Sequence, residues 1–180
     1  FVAVEHLGEM ELAATNVIRS VSTVFFVIVN SLAATTGSLV SNLLGAGQKR
    51  QVIPLCNCVV RLGYAIGFPL VILAVIFYRP IIGIYTESTA LMQIAHLPFV
   101  VMLLNYIFAL PGYVYMNSVT GTGATRMTFI FQLITIVAYQ IYLWSISSFS
   151  TSLSVYWTAE YLYVILLGLL SVIYLKYKHY

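Results

Sequence analysis

The chain has 180 residues, 61% of them hydrophobic and only 7% charged, and a formal net charge of +3. A soluble globular domain carries about 25% charged residues, so this chain has too few to cover a water-exposed surface, and its mean hydropathy is +0.98. The small, spread-out charge argues against nucleic acid as a partner. What remains is a polytopic protein whose solvent is the lipid bilayer.

In chain order, residues 1–8 read as the tail of a membrane span whose beginning precedes Phe1, without the signature of a signal peptide. Glu9, Met10 and Glu11 read as a polar turn. The first complete span starts near Leu12 or Asn16 and runs to Leu44. It exceeds the ~20 residues that a bilayer needs, so it tilts, bends or protrudes. The second covers 54–78, with a kink expected at Pro69. A loop follows over 79–88. The third covers 89–120 and contains Pro98 and the pair Pro111-Gly112. A tight loop takes 121–126, the fourth span 127–146, a serine-rich turn 147–154, and the fifth span 155–175. Spans this long and continuous are helices, because hydrocarbon cannot satisfy an open sheet edge. The fold class is therefore all-α: five complete transmembrane helices plus the end of a sixth.

Alternating sides tests this threading. One side receives Lys49, Arg50, Arg126, Lys176 and Lys178, and no acid; the other receives Glu9, Glu11, Arg79 and Glu87. The positive-inside rule makes the first side, and the C-terminus with it, cytoplasmic. Two stretches on that side echo each other. VSNLLGAGQKR at 40–50 aligns without gaps to MNSVTGTGATR at 116–126. Gly45 and Gly47, and likewise Gly121 and Gly123, are helix-stop residues, because glycine accepts the left-handed backbone past a helix end. Convergence on one stop chemistry and an old duplication both account for the echo.

Charges inside a membrane are costly and mark function by default. Glu160, Arg19 and Glu5 share a depth near the outer face, and form a candidate protonatable or cation-binding cluster. The competing reading is a structural ion pair. Asn30, Asn105, Gln132 and Gln140 are mid-membrane amides, which either bond between helices or offer oxygens to a cation. Pro111-Gly112 frees backbone carbonyls, making a hinge or a cavity wall. Tyr106, Phe108 and Tyr113 beside it can hold an organic cation by cation–π attraction, or simply pack. Cys56 and Cys58, two apart, point in different directions and read as small apolar fillers. The three scattered histidines give no metal signature. GAGQKR is a helix end and not a phosphate loop, and no residue spacing supports an enzyme.

LAATN at 12–16, a long apolar helix and then SNLLGAGQ at 41–48 resemble the second half of multidrug and toxic compound extrusion (MATE) transporters. TGTGATR at 120–126 resembles the element that follows the tenth helix of that family. The resemblance covers essentially the whole chain. It implies that residues 1–180 are the C-terminal lobe, from the end of helix seven through helix twelve, of a two-lobe transporter whose N-terminal lobe is absent here. It further implies a multi-pass plasma-membrane antiporter that exports small organic cations against inward Na+ or H+, with no other cofactor. A departure is Ala109, where many relatives carry a cation-binding aspartate. The competing functions are a lipid-linked sugar flippase of the same superfamily and a non-transporting membrane subunit.

Overall fold

The computed structural model describes residues 9–147 and 153–180. Within them every regular element is helical: α1 (Glu9–Gly45), a 3-10 turn (Lys49–Gln51), α2 (Val52–Ile76), α3 (Tyr78–Gly83), α4 (Thr89–Gly121), α5 (Thr125–Ser147) and α6 (Leu153–Tyr177). Five of these are long and apolar enough to cross a membrane. The expected all-α polytopic class is the observed one.

Most boundaries fall within two residues of expectation, and three of the differences have a local cause. α1 starts at Glu9, so the expected polar turn is helical. An acid at a helix N-terminus is favourable, and no Gly or Pro separates Glu9 from Leu12. The loop after α2 contains the short α3, which buries Tyr78 and Ile82. α5 starts at Thr125 because Gly123 is the last breaker before it. Residues 1–8 and the centre of the serine-rich turn, 148–152, lie outside the described residues.

α1 has 37 residues, about 55 Å at 1.5 Å per residue, against a hydrocarbon layer of about 30 Å. Its many hydroxyls survive inside a membrane by bonding to their own helix. Ser31 donates to the Val27 carbonyl at 2.8 Å, Thr35 to Ser31 at 2.8 Å and Thr36 to Leu32 at 2.7 Å.

α4 is the central helix. It packs on α1 and α6 most extensively, then on α2, and lightly on α5. Small residues bring the backbones together. A Cβ at Gly121 would lie 2.3 Å from the Gly37 carbonyl oxygen on α1, and one at Gly112 would lie 2.6 Å from the Val164 oxygen on α6. On α2, Gly67 makes room for the Tyr106 ring, which a Cβ there would meet at 2.2 Å. Ser41 spans the α1–α4 crossing by donating to the Gly121 carbonyl at 2.8 Å.

Pro111 has no N–H, so the Ile107 carbonyl one turn earlier loses its helical partner. Tyr64 of α2 donates its hydroxyl to that carbonyl at 2.5 Å. In return, Tyr106 of α4 donates to the Gly63 carbonyl at 2.8 Å. Two tyrosines thus clasp α2 and α4 reciprocally at the proline.

Helices that stop at the end holding Lys49, Arg50 and Arg126, the basic end, use one device. After α1, Gly47 sits at φ 75; its N–H reaches the Leu44 carbonyl at 3.0 Å and that of Gln48 reaches Leu43 at 2.8 Å. This is the Schellman closure. After α4, Gly123 sits at φ 84 and its N–H reaches Thr120 at 2.9 Å. The echo between the two stretches is thus a shared helix-stop geometry.

The faces divide by chemistry. α5 turns Phe129, Ile130, Leu133, Ile136, Val137 and Ile141 outward, as a lipid-facing helix does. α1 turns outward Asn16, Arg19, Ser20, Thr23, Asn30, Ser31, Ser38 and Asn42 along its length. At 100° per residue these fall on one side of the helix, interrupted chiefly by Val24 and Val27.

Candidate functional site

A cavity of about 400 Å3 lies among α1, α4, α5 and α6, in the half of the bundle away from the basic end; its lining includes Thr15, Arg19, Asn105, Tyr139, Trp157 and Glu160. It collects residues from four helices because the first turns of α1 and α6 meet the early half of α4 there. Arg19 and Thr23 belong also to the exposed polar stripe of α1, so the cavity adjoins that stripe.

Its lining mixes the Arg19 guanidinium with amide, hydroxyl and carboxylate oxygens. Asn105 is 3% exposed and Thr15 8%. The Asn105 Oδ1 and Thr15 Oγ1 atoms are buried and have no hydrogen-bond partner among the described residues. Ser22 and Thr23, also in the lining, donate their hydroxyl hydrogens to the Arg19 carbonyl at 2.8 and 3.0 Å. What those two oxygens present to the cavity is lone pairs. Tyr139 makes a long contact to Glu160, its hydroxyl 3.4 Å from Oε1, and Glu160 and Arg19 interact electrostatically. Buried oxygens without donors are costly when left unmade. A set of amide, hydroxyl and carboxylate oxygens suits a hard monovalent cation or a proton.

Of the sequence candidates, Glu160, Arg19 and Asn105 come together here. Glu5 lies outside the described residues. Asn30 is on the exposed stripe of α1, below the cavity. The others are placed elsewhere. Tyr106 is 4% exposed and turned to α2 by its clasp. Phe108 faces outward, edge-on to Tyr161 at 5.6 Å. Tyr113 sits behind Phe26, ring centres 6.3 Å apart. Gln132 donates to the Met116 sulfur at 3.3 Å, nearer the basic end. Pro111 and Gly112 form helix contacts: the carbonyl freed by Pro111 is taken by Tyr64, and Gly112 lies against α6. Neither residue of this pair lines the cavity at Glu160. A kink close in sequence does not turn its neighbours toward the cavity.

Ala109 adjoins a void of about 10 Å3 between aromatic and aliphatic side chains. Asn105, one turn earlier on α4, is the residue of that helix face that lines the larger cavity. Thr15, Ser22, Thr23, Tyr139 and Trp157 were not singled out from sequence. The signal available for the hydroxyls was their helical spacing on α1. Cys56 is more than a filler: its sulfur is 2.7 Å from the Ser118 hydroxyl. Among the described residues, no group of three or more His, Cys, Asp or Glu gathers to hold a metal.

A family model described as MatE matches residues 1–144. No curated protein and no solved structure matches the chain.

Proposed function

The chain belongs to the MatE family of membrane transport proteins, and from that premise we propose that it is the C-terminal lobe of an antiporter that exports organic cations. Inward Na+ or H+ drives the export, and the cavity at Glu160 takes the coupling ion. The observation that carries this reading is the pair of orphaned oxygens, Asn105 Oδ1 and Thr15 Oγ1, in one cavity with Glu160. A cation entering there gains the carboxylate of Glu160 and, after a small side-chain adjustment, the two orphaned oxygens. It also offsets the Glu160 charge in place of Arg19, whose guanidinium then turns to water along the α1 stripe. A proton on Glu160 achieves the same neutralisation.

The stripe of Asn, Ser and Thr on α1 supports a two-lobe arrangement. Its hydroxyls are satisfied by their own helix, but the amides of Asn16, Asn30 and Asn42 on the outside of a membrane helix are tolerated beside water or protein far better than beside lipid tails. In this reading they face the pathway shared with an N-terminal lobe, and one lobe rocks against the other. The basic end is cytoplasmic, as the positive-inside rule requires, in a multi-pass protein of the plasma membrane.

The test uses the full-length transporter in cells loaded with a fluorescent organic cation. Efflux should stop when one gradient, of Na+ or of pH, is collapsed. E160Q should uncouple efflux from that gradient while leaving binding of the organic cation intact. Efflux that ignores both gradients would overturn the antiport reading, and no efflux under either gradient would favour a lipid-linked substrate or a non-transporting subunit.

A further inference from the structure

The third helix to stop at the basic end does so on a histidine. After α6, the His179 N–H reaches the Lys176 carbonyl at 3.1 Å and that of Tyr180 reaches Leu175 at 3.2 Å, the same closure that follows α1. His179 itself sits at φ 56, the left-handed position that Gly47 and Gly123 fill at the other two stops. A side chain there strains the backbone, whereas glycine does not. The closure folds the chain back, and His179 lines a cleft of about 580 Å3 with Gly47, Gln48, Lys49, Arg50 and Gln51.

The cleft is cationic on every side that carries charge. Lys49 and Arg50 line it, and Lys176, Lys178 and Arg126 stand at the same end. Among the described residues, no Asp or Glu side chain belongs to this end: Glu9 and Glu87 lie at the other, and Glu160 lies in the opposite half. α2 begins at Val52 with no acid in its first turn and no side-chain cap from Gln51. The positive pole of that helix adds to the same field. The cleft lies where the apolar spans begin. Leu62 and Ile66 on α2, and Leu169 and Ile173 on α6, are exposed a few turns deeper.

We propose that this cleft binds the phosphate headgroup of an anionic membrane lipid in the leaflet at the basic end. Lys49 and Arg50 supply charge-assisted hydrogen bonds to the phosphate oxygens, and the His179 ring closes the third side as a further donor. The apolar surface below takes the acyl chains. Basic pockets between membrane helices recognise anionic headgroups in this way. The assignment does not depend on which ion drives transport.

Native mass spectrometry of the full-length protein in detergent tests it. The protein is titrated with phosphatidylglycerol or with phosphatidylcholine of identical acyl chains, and retained lipid is counted. Phosphatidylglycerol should be retained at roughly tenfold lower concentration, the scale of one or two basic residues at a membrane surface. K49A/R50A should remove that preference. H179G relieves the left-handed strain, so its melting temperature should hold or rise. Its preference should nevertheless fall by roughly fivefold, the loss of one donor. K176A/K178A removes equal charge outside the cleft and should keep most of the preference. The proposal is overturned if H179G and K49A/R50A both keep the full preference, or if K176A/K178A abolishes it as completely. Millimolar inorganic phosphate that displaces the lipid would overturn the lipid assignment in favour of a free anion.

Discussion

Replacing Gly121 by Ala places a methyl group 2.3 Å from the Gly37 carbonyl oxygen and 3.0 Å from its carbon. The obstacle is backbone, which cannot rotate aside as a side chain does, so α1 and α4 must separate. Overpacking of this kind costs about 1–3 kcal/mol. Separation also stretches the 2.8 Å bond from Ser41 to the Gly121 carbonyl, and an interhelical bond in a membrane is worth about 0.6 kcal/mol. The expected loss is therefore about 2–3 kcal/mol, or roughly 4–12 °C in melting temperature on the scale of domains of this size. Gly45 occupies the same place in the echoing stretch, yet a Cβ there meets nothing within 4 Å. G45A should be neutral, or stabilising by up to about 1 kcal/mol through helix propensity. Thermal unfolding of the purified protein, followed by fluorescence-detected size exclusion, compares the two. Equal melting temperatures for G121A and G45A would refute the packing argument, because the sequence context is matched and only the neighbour differs.

Other outcomes follow from the same geometry. Y64F leaves the Ile107 carbonyl without a partner and should cost about 1–3 kcal/mol. Y106F should cost nearer 0.6 kcal/mol, since Gly63 lies within a helix whose ladder still serves its carbonyl; chemical unfolding that ranks Y106F as the worse variant would contradict this. Cysteines at Asn30 and Ser38, in a Cys58→Ser background, should react with a membrane-impermeant thiol reagent, and a cysteine at Leu133 on α5 should not. Labelling at Leu133 alone would reverse the assignment of faces. N105A should weaken the coupling ion about fivefold, ~1 kcal/mol for one lost ligand oxygen, read as a rise in the ion concentration for half-maximal efflux. An unchanged value would remove Asn105 from the site.

Much of the fold was legible because membrane helices are long and their stops are chemically loud. Gly47, Gly123 and Ser88 end or begin helices where their residue types predict. Ser88 accepts the Leu91 N–H at 3.3 Å as an N-cap. α3 was not legible, since Pro80 and Gly83 read as loop residues and only the burial of Tyr78 and Ile82 makes the turn helical. At the site, Glu160, Arg19 and Asn105 were visible because polar atoms are rare in an apolar run. Thr15 and Ser22 were not, because a buried hydroxyl inside a helix commonly bonds its own backbone and looks the same in sequence wherever it points. The aromatic candidates Tyr106, Phe108 and Tyr113 lie outside this cavity for another reason. α4 is buried on most of its circumference, so its hydropathy cannot say whether Tyr106 or Asn105 faces the cavity. The α1 stripe is the converse case: its 3.6-residue period is written in the sequence, and a helical projection would have found it.

The reciprocal tyrosine clasp has a mechanical meaning. A proline in a membrane helix normally leaves a joint, because the carbonyl it frees can trade partners as the two halves bend. Here the free carbonyl of Ile107 is already engaged by Tyr64, and the return bond from Tyr106 to Gly63 fixes the second strut. Any flexure of α4 at Pro111 must drag α2 along or break a bond at that point. The pair therefore behaves as one beam, and the freedom that Pro111 would have contributed belongs to the two helices together.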